Sequence, residues 1–315
     1  MADIRAPGRT GVGPRPSNVV TLHDVLVPAT RDGFAVGSFA ARYKLMVRPI
    51  LRAAQAMASP AIVQISQKEL SRAGIDPADI AGEFFDAVLD EAIDVPLVLH
   101  LDHTRDPGSI HEAIACGFTS VMIDASEKTL EENIAISADI AEYAHRRAVS
   151  AEAELGRIGT TDFVETDSDD EMYTDPAEAQ RFVDGTRVDA LAVSVGTAHG
   201  VYQVRKPRID LERLSAIRHA VATPLVLHGG SGVPAEMMQA AIRLPGGGVS
   251  KVNIATDLEL AWLGALGRGE RLTDKACNRL SAEDRNRAQH AVQRVVEEKM
   301  CHFLRSAGRA VGMSL

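Results

Sequence analysis

Three histidines follow short apolar segments of the chain, at His103, His199 and His228. Three imidazoles that leave a fourth coordination position open are the ligand set of a catalytic zinc ion. A single histidine at the end of a strand is more often hydrogen-bonded than metal-bound. Because three stand at equivalent places, we expect them to bind one metal ion together.

Acidic residues accompany these histidines. Asp102 directly precedes His103, and a carboxylate in that position can act as a general acid or base or can orient a histidine ligand. Asp124 and Glu154 also end apolar segments. They are accessory metal ligands, groups that orient the ligands, or members of a buried polar network. His100 shares a strand face with Asp102 and could orient its neighbours.

The apolar segments alternate with longer amphipathic segments, which indicates strands of a parallel sheet covered by helices. The predicted strands are Ala35–Phe39, Ala61–Ser66, Pro96–Asp102, Ser120–Asp124, Ser150–Leu155, Ala190–Gly196, Pro224–Gly229 and Val249–Ile254. The predicted helices are Lys44–Met57, Pro77–Ile93, Pro107–Cys116, Thr129–Arg146, Pro176–Asp184, Leu211–Ala222, Ala235–Leu244 and Thr256–Leu266, with an extra C-terminal helix at about Ala282–Leu304. Eight repeats in 315 residues favour an α/β fold of the closed (β/α)8 TIM barrel type over an open sheet.

The barrel also predicts where a site would lie, because active sites of such barrels form at the carboxyl ends of the strands. Polar residues collect at the predicted carboxyl ends of strands three to eight. After strands seven and eight come the glycine-rich segment 229–232 and the segment 253–256, and loops at these two places often hold a phosphate with backbone amides. A metal beside a phosphate pocket predicts a small phosphorylated substrate.

Residues 1–18 are rich in glycine, proline and arginine, and we predict a mobile N-terminal arm followed by a single barrel domain over residues 19–315. The longest predicted loop, residues 156–175, is acidic and nearly without aliphatic side chains. Loops of this length in compact domains are often functional, for example as active-site lids.

The composition excludes several classes of protein. A net charge of −9 argues against nucleic acid as a partner, since binding to phosphate backbones needs a basic surface. Neither a long apolar run nor a secretory leader is visible, so we expect no membrane contact. Three unpatterned cysteines suit a reducing, cytoplasmic location.

Six segments in order carry a family resemblance. They are HLDH (100–103), SVMIDAS (120–126), SAEAELGRIG (150–159), VGTAHGVY (195–202), PLVLHGGSGVP (224–234) and KVNIATDLELA (251–261). Together they resemble the class II, zinc-dependent ketose-bisphosphate aldolases, and within them the tagatose-bisphosphate branch is most similar. The match runs from about residue 21 to residue 266.

The resemblance implies a role for each matching position. His103, His199 and His228 match the zinc ligands, and Asp102 matches the acid/base for the hydroxyl next to the cleaved carbon–carbon bond. Asp124 and Glu154 match acidic residues near an alternative zinc position.

The resemblance also implies a substrate pocket. The positions that match the pocket for the phosphate of dihydroxyacetone phosphate are Gly200, Gly229, Gly230, Ser231, Asn253, Ile254, Ala255 and Thr256. Some of these backbone groups often hold a monovalent cation, Na⁺ or K⁺, in the family. Ser66 matches a serine at the end of strand two. The resemblance further implies a homo-oligomer, a dimer or tetramer.

Four departures from the family pattern lie on the side of the acceptor aldehyde. After strand two the family often has glycines, and here Gln67-Lys68-Glu69 follows. Strand one ends Phe39-Ala40 where the family has a Phe-Asn pair. The loop lacks the usual Gly-Gly run, and its proton-transferring carboxylate has only Glu165 or Asp162 as candidates. The C-terminal segment Arg279–Arg285 reads RLSAEDR, without the proline of the family's phosphate-binding segment. We therefore expect dihydroxyacetone phosphate, or a close analogue, as donor and an acceptor other than glyceraldehyde 3-phosphate.

Two other functions remain open at this point. A tris-histidine zinc site could activate water for hydrolysis, although the paired HxH of comparable barrel hydrolases is missing near strand one. The second alternative is a non-catalytic barrel that binds a sugar phosphate and acts as a sensor or as a subunit of an assembly. The carboxylate of Asp102 beside three histidines argues against it, because a binding protein has no need of an acid.

Overall fold

A computed structural model describes residues 15–157, 173–200 and 207–313. Eight parallel strands in these ranges pair in chain order and close into a barrel, β1 with β8. They are β1 Val36–Ala40, β2 Ala61–Ser66, β3 Leu97–Thr104, β4 Ser120–Ile123, β5 Ser150–Leu155, β6 Ala190–Val193, β7 Leu225–Leu227 and β8 Val249–Ile254. The predicted (β/α)8 barrel is confirmed, with the bounds of β2, β5 and β8 as expected.

Helices surround this barrel in the described part of the chain. They are α1 Leu22–Asp32, α2 Val47–Ala56, α3 Gln67–Ala73, α4 Pro77–Asp90, α5 Pro107–Ala115, α6 Leu130–His145, α7 Pro176–Thr186, α8 Leu211–Ala220, α9 Ala235–Ile242, α10 Thr256–Ala265, α11 Asp274–Cys277 and α12 Ala282–Glu298. The predicted C-terminal helix corresponds to α12 and the turn that follows it. None of the described helices is both long and apolar enough to cross a membrane.

Helix α1 was not predicted, and it closes the amino-terminal end of the barrel. Leu22, Val25 and Leu26 pack in one apolar cluster with interior residues of the strands such as Val36 and Ile62. Pro28 stands inside the helix, where proline is unfavourable, while Thr21 begins the helix with a capping box. This end of the barrel interior is therefore apolar, and a layer of polar residues lies nearer the carboxyl ends of the strands.

The chain before α1 is anchored to the sheet. Asn18 Nδ2 donates hydrogen bonds of 3.0 Å to the carbonyls of Ile93 and Val95, and Val19 bridges to Leu97 of β3. Asn18 is buried. The region predicted as an arm therefore includes a fixed residue at its end, while residues 1–14 lie outside the described ranges.

A polar layer fills the barrel above this apolar floor. Since side chains alternate along a strand, residues two apart share the interior face. His100 and Asp102 on β3, Glu152 on β5 and Lys251 on β8 meet there and are buried. This layer supports the residues at the mouth of the barrel.

Candidate active site

The three predicted metal-binding histidines come together at the carboxyl end of the barrel. One ligand atom from each of His103, His199 and His228 lies within 4.8 Å of the other two. The ring centroids of His103 lie 4.5 Å from His228 and 5.0 Å from His199. Residues 29 to 125 positions apart in the sequence thus form one cluster, as the barrel predicts.

An irregularity in β3 brings both Asp102 and His103 to the mouth. Neighbouring residues of a regular strand point to opposite faces of the sheet. Here the pairing of β3 with β4 shifts between Leu101 and Thr104, and His103 has φ +36°, a conformation that residues other than glycine rarely adopt. Such strain is found where a side chain must be aimed at a particular place.

Carboxylates hold two of the histidine rings. Asp124 Oδ2 lies 3.3 Å from His103 Nδ1, and Glu152 Oε1 lies 3.0 Å from His228 Nε2. Of the remaining nitrogens, His103 Nε2 is buried without a hydrogen-bond partner, and His228 Nδ1 is buried with the Glu154 carboxylate 3.1 Å away. A ring fixed by a carboxylate through one nitrogen, with the other nitrogen exposed to a shared space, is the usual arrangement of a histidine metal ligand. The residues present therefore fit a metal ion.

The two predicted accessory acids, Asp124 and Glu154, both lie beside the histidine cluster. Asp124 also accepts hydrogen bonds from the backbone and hydroxyl of Ser126, which fix its carboxylate beside His103. Glu154 Oε2 lies 3.1 Å from His228 Nδ1 and 4.0 Å from His103 Nδ1. Both acids lie close to the histidines, so they add negative charge around the cluster.

These charges shift the pKa values of the imidazoles. Burial lowers the pKa of His103, but the carboxylates of Asp102 and Asp124 outweigh it and raise that pKa to about 10. Burial and the positive charges of His103 and His228 lower the pKa of His199 to about 3. The carboxylates beside His103 therefore favour positive charge at that ring, which suits the binding of a divalent cation.

Asp102 is held by an amide on each side. Gln64 Nε2 donates to Asp102 Oδ2 at 3.1 Å, and Asn253 Nδ2 donates to Asp102 Oδ1 at 3.0 Å. Ser38 Oγ in turn donates to Gln64 Oε1. Burial acts to raise the pKa of Asp102, but the positive charge of His103 and the imidazole of His100, 3.7 Å away, hold that pKa well below its ordinary value. Asp102 is therefore an ionised carboxylate in a fixed orientation.

A second group of potential ligands lies below the histidines. One atom each of His100, Asp102 and Glu152 lies within 4.8 Å of the others. Lys251 Nζ lies 2.9 Å from Glu152 Oε2, so an ammonium already meets this carboxylate. The attraction of Lys251 and the hydrogen bond with His228 overcome the effect of burial and lower the pKa of Glu152 to about 2.

Sequence reasoning missed Gln64, Glu152 and Lys251 as parts of the site. Gln64 lies in the predicted strand Ala61–Ser66, and Glu152 and Lys251 lie in the segments SAEAELGRIG and KVNIATDLELA, but the sequence assigned none of them a role. Contacts between β5 and β8 join residues 99 positions apart. The available signal was the alternation of side chains along each strand, which places these three residues on the face that points into the barrel.

The predicted phosphate segments pack closely together. Gly229 has φ +69°, and a Cβ there would lie 2.3 Å from the carbonyl oxygen of Ala198. The loop after β7 therefore touches the backbone next to His199. Ser231 Oγ accepts hydrogen bonds from the amides of Ala255 (3.3 Å) and Asp257 (3.2 Å), which joins this loop to the start of α10.

The other predicted site residues have mixed outcomes. Ser66 Oγ accepts from the amide of Glu69 and caps α3, a helix that was not predicted. Gly200 has φ +113° and follows His199. Glu165 and Asp162 lie outside the described residues, as does most of the predicted loop.

A comparison with known protein families identifies the family of the chain. Residues 20–309 match the family described as fructose-bisphosphate aldolase class-II. The chain belongs to that family. This class II aldolase is a lyase that acts on sugar phosphates, and class II aldolases use a divalent metal, for which the histidine cluster is the candidate site.

Individual relatives agree with this assignment. The class II aldolase is 38% identical over 239 residues to a sulfofructosephosphate aldolase of Alkalicoccus urumqiensis, covering 76% of this chain and 80% of the relative. Its fold is similar to the crystal structure of the YdjI aldolase of Escherichia coli K12, with a TM-score of 0.78 at 28% identity, covering 93% of this chain and 99% of the other. A putative fructose-1,6-bisphosphate aldolase of Coccidioides immitis gives a TM-score of 0.78 at 30% identity, with coverage of 93% and 98%.

Proposed function

We propose that this class II aldolase is zinc-dependent and makes or breaks a carbon–carbon bond of a ketose phosphate, with dihydroxyacetone phosphate as donor. The observation that carries the proposal is the pairing of two features at one place. His103 Nε2 is buried without a hydrogen-bond partner in a cluster of three histidines, and the neighbouring Asp102 is an ionised carboxylate held by two amides.

His103, His199 and His228 would hold the metal, and three imidazoles with an open position favour zinc. A zinc ion there supplies a Lewis acid that polarises the ketone and stabilises the negative charge left after bond cleavage. Asp124 and Glu152 keep the His103 and His228 rings in place for this purpose. A monovalent cation, Na⁺ or K⁺, remains part of the proposal for the neighbouring backbone groups.

Asp102 would move the proton that bond cleavage requires. As an ionised carboxylate it accepts the proton of the hydroxyl next to the bond that breaks, and in the synthetic direction it returns that proton. The amides of Gln64 and Asn253 fix both oxygens, so the proton transfer needs no rearrangement of the carboxylate. Glu165 or Asp162 stays a prediction for the separate proton transfer at the donor carbon.

The donor phosphate would lie between the loops after β7 and β8. The residues proposed for it are Gly200, Gly229, Gly230, Ser231, Asn253, Ile254, Ala255 and Thr256. The start of α10 offers amides and the positive end of a helix dipole. Ser66 remains a proposed neighbour of the substrate through its position at the end of β2. We also propose that the protein forms a homo-oligomer.

The acceptor half of the substrate would differ from glyceraldehyde 3-phosphate. Ala40 ends β1 without an amide side chain, and the nearby Arg42 is already paired with Glu69 and Glu259. The similar relative is named for sulfofructosephosphate rather than a tagatose bisphosphate. We therefore propose a ketose phosphate that carries a sulfonate in place of the second phosphate, and we place the protein outside the tagatose-bisphosphate branch.

A comparison of three substrates tests this proposal. Sulfofructosephosphate, fructose bisphosphate and tagatose bisphosphate would each be incubated with zinc-loaded protein, and the release of dihydroxyacetone phosphate would be measured. We expect the sulfonated substrate to have the highest kcat/KM. Cleavage of either bisphosphate at an equal or higher kcat/KM would contradict the proposed acceptor, and failure to cleave any of the three would count against the whole proposal.

A further inference from the structure

Lys251 is a buried cation inside the barrel that the reaction described so far does not use. Its side chain is fully buried on β8, two residues before Asn253. Burying an ammonium is costly unless it is paired and hydrogen-bonded. The contacts of Lys251 therefore indicate its role in the barrel.

Two groups accept hydrogen bonds from the ammonium. Lys251 Nζ lies 2.9 Å and 3.1 Å from the two oxygens of Glu152, and 2.7 Å from Asn253 Oδ1. Glu152 balances the charge of Lys251 in the interior. The hydrogen bond to Asn253 has a different consequence. The amide oxygen of Asn253 accepts it, and the amide nitrogen of the same side chain donates to Asp102.

The orientation of the Asn253 amide follows from these contacts. An ammonium can only donate, so it requires the oxygen of Asn253 on its side. The Nδ2 group is then directed to Asp102 Oδ1 at 3.0 Å. A chain of contacts runs from Glu152 through Lys251 and Asn253 to Asp102, and each link fixes the next.

We propose that Lys251 is a positioning residue that sets the Asn253 amide and thereby holds the Asp102 carboxylate in place for proton transfer. This inference rests on the proposed function, in which Asp102 is the acid/base. The ammonium of Lys251 supplies the positive charge next to Glu152.

The test compares two activities of Lys251→Met. Cleavage of sulfofructosephosphate needs Asp102. Deuterium uptake from heavy water into dihydroxyacetone phosphate, followed by proton NMR, reports proton transfer at the donor carbon and does not. We expect kcat for cleavage to fall about 10- to 100-fold, as for other residues that orient catalytic groups, while the exchange rate and zinc content stay near those of the wild type.

Two further variants keep the test decisive. Lys251→Met leaves Glu152 buried without its cation, so Lys251→Met/Glu152→Gln, which removes both charges, covers a failure of the single variant to fold. Ser250→Ala is the matched control. Ser250 is buried on the same strand but bonds to Thr30 of α1 instead, so it should change neither activity. Melting of the metal-free proteins reports their folding.

A mutant cycle with Asn253→Ala tests the route of the effect. If Lys251 acts through Asn253, adding Lys251→Met to Asn253→Ala lowers the kcat for cleavage little further. The proposal would be overturned if the double variant lost cleavage activity by the product of the two single losses. It would also be overturned if Lys251→Met cleaved the substrate as fast as the wild type, or if it lost cleavage and exchange equally. Wild-type protein without exchange or cleavage would instead count against the proposed function itself.

Discussion

Asp124 Oδ2 lies 3.3 Å from Nδ1 of His103, and the opposite nitrogen of that imidazole has no hydrogen-bond partner. The carboxylate thus selects which nitrogen faces the histidine cluster. Asp124 is itself fixed by Ser126. The position of the proposed metal ligand therefore depends on a group that need not touch the metal.

Replacing Asp124 tests this dependence. Asp124→Ala removes the acceptor for His103 Nδ1, and we expect zinc affinity to fall about 10- to 100-fold because the ring loses its orientation. Asp124→Asn keeps a carbonyl oxygen as acceptor and should lose less. Competition with a chromogenic chelator measures both affinities. Equal affinity in Asp124→Ala and the wild type would show that His103 is oriented by other contacts.

Asp102→Asn separates acid/base chemistry from metal binding. The amide cannot take a proton at neutral pH, so we expect kcat for cleavage to fall about 10²- to 10⁴-fold. Zinc content and deuterium exchange into dihydroxyacetone phosphate should remain, because the histidines are intact. Asp106→Asn is the control, since Asp106 only caps α5 at an exposed site. Loss of zinc from Asp102→Asn would assign Asp102 to the metal instead.

Gly229→Ala tests the close packing beneath the site. The added Cβ would meet the carbonyl of Ala198 at 2.3 Å, and φ +69° is itself unfavourable for alanine. Overpacking of this kind costs about 1–3 kcal/mol, which urea unfolding can measure. Because Gly229 follows His228 directly, zinc affinity should fall as well. Gly264→Ala is the control, since a Cβ there meets nothing within 4 Å. Unchanged stability and affinity in Gly229→Ala would mean that the loop moves aside freely.

The barrel could be predicted from the sequence because each strand and helix repeats a local pattern. The eight strands were placed in order, and the histidines at their carboxyl ends followed from the architecture. Helices α1 and α3 were missed, although each has a local start signal in the sequence. Thr21 begins α1 with a capping box, and Ser66 caps α3.

The supporting contacts of the site were harder to predict. Gln64, Glu152 and Lys251 act through partners that lie far away in the chain, such as Asp102 for Gln64. Strand parity places such residues inside the barrel but does not say which of them touch. The bulge in β3 that presents Asp102 and His103 together is likewise a property of strand pairing.

The most direct measurement of the central claim is deuterium exchange into dihydroxyacetone phosphate in heavy water, by proton NMR, with and without a chelator. It isolates the donor half of the reaction and requires no acceptor. We predict exchange by the zinc-loaded protein, its loss on chelation and its return when zinc is added back. Absence of exchange in protein shown to carry zinc, or exchange that persists after the metal is removed, would contradict a zinc-dependent aldolase with this donor.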